Sequence, residues 1–262
     1  MTGEMRRNVV VVAVALAIVA LILAGGYGIW YLFLRPAGPA AVGAPNVPVA
    51  TATATPAGAS DPAAATTAPA GSSDPLTGGI DGTWKVDTSI GSFADNTSSF
   101  VGYRVQETLG TIGANTAVGR TPNVTGTLSI SGSTVTDTTI EADLTALASD
   151  DQRRDGQLRQ RGIQTNQFPT ATFKLTSPID LGSVPADGQE ISVTAKGQLT
   201  LHGVTKDVEI PLKAKLSGDV IAVTGSLPIV FADYGVEAPT SFVVVSIEDH
   251  GEMELQLFFT KG

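Results

Sequence analysis

His202 and His250 are the only histidines of the chain, and a general base or a metal ligand would be sought there first. Each precedes a glycine between strand-like runs. With no cysteine and no second histidine nearby in sequence, a zinc-type ligand set is lacking. A His-Gly pair in that setting is turn chemistry, supplying positive φ between two strands. A nucleophilic site fares no better: serines and threonines are many, but there is no cysteine and no G-x-S-x-G. Asp87, Glu107 and Asp143 would mark a lipid-acting hydrolase or isomerase only if one stood inside the fold with a strongly shifted pKa. The arginines of Arg153–Arg161 offer another chemistry. Arg154 and Arg159, with Arg161, suit a carboxylate, quinone carbonyl or pyrophosphate head group. The same arginines also suit a solvated helix face that offsets an acidic domain. No catalytic residue, metal or cofactor is assigned on these grounds, and since nothing in the residues points to catalysis the chain is not expected to be an enzyme.

The elements that would position such groups are strands. Ile191, Val193, Ala195, Gly197, Leu199 and Leu201 alternate with polar residues, and after His202-Gly203 so do Val208, Ile210, Leu212, Ala214 and Leu216. Period-2 alternation on both sides of a short turn predicts two antiparallel strands with one wet and one buried face. Further strands are predicted at Thr83–Thr88, Ser98–Glu107, Val124–Ser131, Thr134–Leu144, Ala171–Thr176, Asp219–Ile229 and Met253–Phe259. Eight or nine antiparallel strands with hairpin-length links fit an up-and-down barrel or a sandwich. Asp150–Arg161 breaks the pattern: acids first, arginines last, with Ser149 or Asp150 able to cap, it predicts a short surface helix over one barrel mouth.

Ahead of the barrel, Val9–Leu34 carries no charge, follows Arg6 and Arg7, and ends among Tyr27, Trp30, Tyr31 and Phe33. Its 26 residues would span about 39 Å as a helix. Residues 1–35 are therefore expected to be a cytoplasmic N-terminus and an uncleaved transmembrane anchor, which leaves the remainder extracytoplasmic at the cell membrane. Residues 36–80, rich in Pro, Ala and Thr, read as a disordered linker, and the 44 residues Pro36–Gly79 would span about 36 Å root-mean-square as a coil. Residues 81–262 form the folded part. There, 13 basic and 22 acidic residues exclude nucleic acid as a natural partner.

Along that folded part the order of motifs is specific. Trp84-Lys85-Val86-Asp87 comes first, then Asp143-Leu144-Thr145-Ala146-Leu147, Arg154-Asp155 with Leu158-Arg159, and Phe168-Pro169-Thr170-Ala171-Thr172-Phe173. Leu199-Thr200-Leu201-His202-Gly203-Val204-Thr205-Lys206 and Phe231-Ala232-Asp233-Tyr234-Gly235-Val236 follow. This succession resembles the YceI-like family of lipid- or polyisoprenoid-binding proteins over nearly all of Gly82–Lys261. The resemblance implies an all-β, antiparallel, lipocalin-like barrel whose elongated apolar cavity holds an isoprenoid chain, a quinone tail included. It departs from the family at Thr108–Asn123, a glycine-rich loop longer than expected, and at the anchor and tether.

Phe100, Tyr103, Leu128, Phe173, Val193, Leu199, Ile210, Phe231 and Leu257 are the expected lining, with Arg154 and Arg159 near the head group. Ala195, Gly197, Ala214 and Gly126 fall on the inward set and favour space over filling. Trp84, in a G-x-W triplet, suits a barrel-closing or ordinary core tryptophan. The expected partners are an isoprenoid lipid and, through the anchor, the membrane; a homodimer is the assembly allowed for. The other readings are a solid, stalked barrel that docks envelope proteins, and a lipid-acting enzyme.

Overall fold

Among the described residues there are thirteen strands. They are β1 (Gly82–Val86), β2 (Phe100–Leu109), β3 (Gly113–Thr121), β4 (Val124–Ser131), β5 (Thr134–Asp143), β6 (Ala148–Ser149) and β7 (Thr170–Leu175). Then come β8 (Ile179–Asp180), β9 (Glu190–Leu201), β10 (Val204–Ser217), β11 (Val220–Val230), β12 (Val244–Ile247) and β13 (His250–Lys261). The structure, a computed structural model, describes residues 38–48, 79–110, 113–238 and 244–262.

Eight strands close a ring in the order β1-β4-β5-β7-β9-β10-β11-β13, with β13 returning to β1. All of these pairings are antiparallel. Closure removes the free strand edges that would otherwise template aggregation. One edge of β13 is divided: Phe259–Lys261 pair with β1, whereas Glu252–Gln256 pair with β2. The β2–β3 hairpin therefore extends the wall beyond the ring. Short β6, β12 and β8 pair with β3, β2 and β5. The barrel expectation holds.

Two local expectations change. Thr108–Asn123, read as a long loop, contains β3, paired residue for residue with β2 from Val101↔Thr121 to Leu109↔Gly113. Its small residues give no apolar alternation, but Gly119 has a reason: a Cβ there would lie 2.4 Å from the Tyr103 ring across the pair. The surface helix α1 spans Gln152–Gln160, and its cap is Asp151, whose carboxylate accepts from the Arg153 N–H at 2.8 Å. The predicted cap Ser149 instead donates its hydroxyl, and its N–H, to buried Asp155.

The His202-Gly203 turn behaves as expected, with φ of 51° and 75°. His202 Nδ1 lies 2.9 Å from the Tyr234 carbonyl and its ring packs edge-on against Phe168. Between Ser129 and Ile130 the β4–β5 register shifts. That bulge inverts the facing of β5, so that Val135 points inward as Ile140 and Ala142 do further along.

The apolar run Val9–Leu34 lies outside the described residues, and so do 49–78 of the linker. Among the described residues, no helix is long and apolar enough to cross a membrane. Gly38–Pro48, which composition placed in the disordered linker, lies instead against the outside of the barrel wall.

A 3₁₀ turn at Leu144–Ala146 is capped by Asp143, whose carboxylate accepts from the Thr145 N–H at 2.8 Å and its hydroxyl at 2.6 Å. These bonds, the Thr145 hydroxyl first, hold the Asp143 carboxyl below its ordinary value. Because the folded-state pKa is depressed, the stabilisation is present above the unfolded value of 3.8 and is lost as pH falls through the folded one. Asp143→Ala is expected to cost about 1 kcal/mol at pH 7. In chemical denaturation followed against pH, wild type and variant should converge only below the ordinary carboxylate range.

Candidate functional site

The inward faces of the ring enclose an apolar cavity. Its volume is about 150 Å³. Leu128, Ile140, Phe173, Val193, Ala195, Leu199, Ile210, Leu257 and Phe259 are among its walls. Polar side chains are few: Thr138, Thr172, Gln189 and Lys215. The last two stand with Leu181, Pro185 and Leu216 around the mouth, near the β10–β11 turn, and Gln189 is exposed. The opposite end is closed. There Leu199, Ile229 and Tyr234 are buried and pack with Leu201, Val208, Leu227, Phe231 and Met253.

The decisive geometry is the partial burial of residues that point inward. Ile191, Val193, Leu212, Ala214, Leu216 and Val223 all line the cavity, yet each is only half-buried. In a filled eight-stranded barrel such residues meet across the axis and exclude water. Here they face an open channel. Ala195, buried at 2%, and Ala214 line it as expected. The glycines do not add to the space. A Cβ on Gly197 would lie 2.5 Å from the Phe173 ring, and one on Gly126 would lie 2.6 Å from Ile140 Cδ1. Each glycine seats a large neighbour that then turns into the lumen.

Of the expected lining, Leu128, Phe173, Val193, Leu199, Ile210 and Leu257 stand on the cavity. The other three do not. Phe100 points out of the barrel, 1% exposed, with the Arg120 guanidinium 4.1 Å over its ring. Strand alternation places Val101, not Phe100, on the cavity. Tyr103 shares Val101's side but lies against Gly119 beyond the lining. Phe231 sits in the closed end. Among the lining residues not expected from the sequence are Leu212, Leu216, Met253, Leu255 and Phe259. Their signal was present in the same alternation that yielded Ile210 and Leu257.

Arg154 and Arg159, expected near the head group, do not line the cavity. Arg154 is engaged by Glu107 at 2.7 Å and by Asp150 at 2.6 Å. Arg159 is exposed on the last turn of α1, and no residue of that helix lines the cavity. The carboxylates named for catalysis also lie elsewhere. Glu107 holds Arg154 and accepts from Asn115. Asp87, like Asp143, accepts from a nearby hydroxyl and amide, here both of Ser89, and its carboxyl is held below the ordinary value chiefly by the Ser89 hydroxyl. Among the described residues, no carboxylate and no histidine lines the cavity. Such an arrangement can solvate hydrocarbon and little else.

Comparison with solved structures shows the same barrel elsewhere. The chain is similar to a polyisoprenoid-binding domain from Saccharophagus degradans implicated in plant cell wall breakdown, at 22% identity and a TM-score of 0.53. That match covers 68% of this chain and 98% of the other. BcnA of Burkholderia cenocepacia is 18% identical with a TM-score of 0.46, over 60% of this chain and 95% of its own. At 22% identity the first of these likenesses speaks for the fold alone. Comparison with curated proteins returns no match. The YceI-like domain model matches residues 93–259, from the approach to β2 to the end of the cavity-lining part of β13. With that span matched and the motif order noted above laid along one barrel, the chain belongs to the YceI-like family.

Proposed function

We propose that this protein binds a long apolar lipid, of polyisoprenoid type, in the barrel cavity. The observation that carries the reading is the half-buried inward face of β9, β10 and β11. The polyisoprenoid named for the Saccharophagus degradans domain supports the choice of ligand class. So does the near absence of polar lining.

Magnitudes shape the ligand. A cavity of about 150 Å³ is of the size that takes a benzene-like molecule, which is about one five-carbon unit. Burying one such unit gains roughly 3–4 kcal/mol. Association costs about 4–15 kcal/mol in lost freedom, so a single unit binds weakly. Tight binding needs two or more units, with the half-buried side chains of β9–β11 moving apart to admit them. The polar end then stays at the mouth beside Gln189 and Lys215, not at α1. The uncharged Val9–Leu34 run supports a membrane anchor with the barrel on the extracytoplasmic side, where the protein would hold or pass on its lipid.

The test is mass spectrometry of an organic extract of the purified full-length protein, with thermal shift on adding a quinone or polyprenol. Absence of any co-purifying lipid together with no shift sinks the proposal. Ala214→Phe, which projects a ring into the channel, is expected to cut lipid retention about tenfold while costing under about 1 kcal/mol of stability. In a filled core the same insertion would cost about 1–3 kcal/mol. The two readouts therefore separate a lipid channel from a solid barrel.

A further inference from the structure

The outside of a barrel wall is normally wet, and on β9 and β10 it is: Lys196, Gln198, Glu209 and Lys213 are exposed. Across β3, β2, β13 and β11 it is not. Val118, Arg120, Ala222, Thr224 and Glu254, all off the cavity lining, are buried, Glu254 at 0% and Arg120 at 4% exposure. Phe258, next but one after Gln256 on the same outward set, is 1% exposed.

What covers much of this face is Gly38–Pro48, which forms no helix or strand of its own. Gly38 lies against Val118, where a Cβ would come within 3.3 Å of its Cγ2. Arg104 donates from Nη1 to the Pro39 carbonyl at 2.7 Å, and Arg120 from Nη2 to the Ala40 carbonyl at 2.8 Å. The Val42 N–H donates to Glu254 Oε2 at 3.4 Å, and the Thr224 hydroxyl to the Gly43 carbonyl at 2.9 Å. Pro45 is among the fully buried side chains. Four strands thus contribute a side chain that meets this backbone.

The charges beneath are arranged for such an occupant. Arg120 binds Glu254 Oε1 through Nε and Nη2, both at 2.7 Å, and donates from Nη1 to Asn96 Oδ1 at 2.7 Å. A buried ion pair is tolerated only when its remaining donors and acceptors are also satisfied. The Ala40 carbonyl and the Val42 amide fill those places. Extended, proline-rich chain suits the role, since its backbone groups are not committed to one another. The receiving residues fall within the family-matched 93–259, whereas the segment they hold precedes it.

We propose that the outer wall of β2, β3, β11 and β13 is a peptide-docking face whose occupant is this chain's own Gly38–Pro48, and that the docked segment clasps the barrel close to the membrane. The second half rests on the anchor reading of Val9–Leu34. With the segment docked, only Arg35, Pro36 and Ala37 separate Leu34 from Gly38, a reach of about 10 Å at full extension. A free 44-residue tether would instead span about 36 Å. Residues 49–78 then connect the clasp to β1 and do not set the distance from the bilayer.

The experiment uses the full-length chain in lipid vesicles. Hydrogen exchange is read over residues 38–48, and energy transfer is read from a dye on Val245→Cys to labelled headgroups. The chain has no native cysteine and Val245 is 70% exposed, so the label is unique and accessible. R104A/T224V removes two clasp bonds and leaves the Arg120–Glu254 pair. It is expected to speed exchange over 38–48 at least tenfold and to lower energy transfer, with exchange in β9–β10 unchanged as proof of folding. Exchange of 38–48 at the free-peptide rate in the unaltered protein overturns the clasp. Protection without energy transfer keeps the docking face and overturns the membrane half, alone if the protein still floats with the vesicles and together with the anchor reading if it does not. Protection that disappears on dilution, with a dimer by light scattering, assigns the face to a second copy and overturns the intramolecular clasp.

Discussion

Arg120→Ala is expected to lower the unfolding free energy by about 3–5 kcal/mol, because it leaves a buried carboxylate without its counter-charge. Glu254 is 0% exposed, and Arg120 supplies it with two donors at 2.7 Å. The next cation, Arg104, is 4.0 Å away. The substitution also takes the guanidinium off the Phe100 ring and removes the donors to Asn96 and Ala40. Urea or guanidinium denaturation of the full-length protein reads the effect directly. A loss under about 1 kcal/mol would mean that water reaches Glu254 and that the wall is not dry. The double change R120M/E254L sharpens the test. Removing both charges spares the desolvation penalty, so it should be markedly less damaging than Arg120→Ala alone. A double variant as unstable as the single one would show that packing, not charge, dominates.

Trp84→Ala carries the second large effect, again about 3–5 kcal/mol. Trp84 is completely buried, paired with Leu128 on β4 and Lys261 on β13, where β1 seals the ring. Its indole N–H donates to the Ile80 carbonyl at 2.8 Å, and the Lys261 ammonium stands 5.6 Å over its ring. Ile80 lines the cavity, so the indole also fixes a piece of the lumen wall. Trp84→Phe retains most of the packing and strands the Ile80 carbonyl, for an expected loss of about 1–3 kcal/mol. Calorimetry on the two variants separates the contributions. Equal losses would assign the whole effect to the hydrogen bond.

Much of this arrangement could be read from alternation. The β9–β10 hairpin, its His202-Gly203 turn and the inward set of β13 follow from period-2 patterning over long strands, where a one-residue slip would expose every apolar side chain. Where patterning is weak, the reading failed for physical reasons. GANTAVGRT, which forms β3, has mostly small residues and no apolar alternation, and only its Gly119 is explained, by the clearance Tyr103 requires. Phe100 and Tyr103, both expected on the lining, fall on opposite faces of β2. Only the partners of β2 reveal that Val101 faces the lumen, since Val101 pairs with Leu255. Arg154 suited an anion until the fold brought Glu107 to it. The docking of Gly38–Pro48 depends on Arg120 and Glu254, 80 and more residues away. Local composition carries no trace of such contacts.

The seam between β1 and β13 has a consequence for how the protein is made. Trp84 meets Lys261 there, so the first strand of the ring waits for the last. Until the C-terminal residues leave the ribosome, a seven-stranded sheet stands open, with one greasy face and two raw edges. Closing so long a loop makes folding slow, and the unfinished sheet is the species a chaperone must shield from its neighbours.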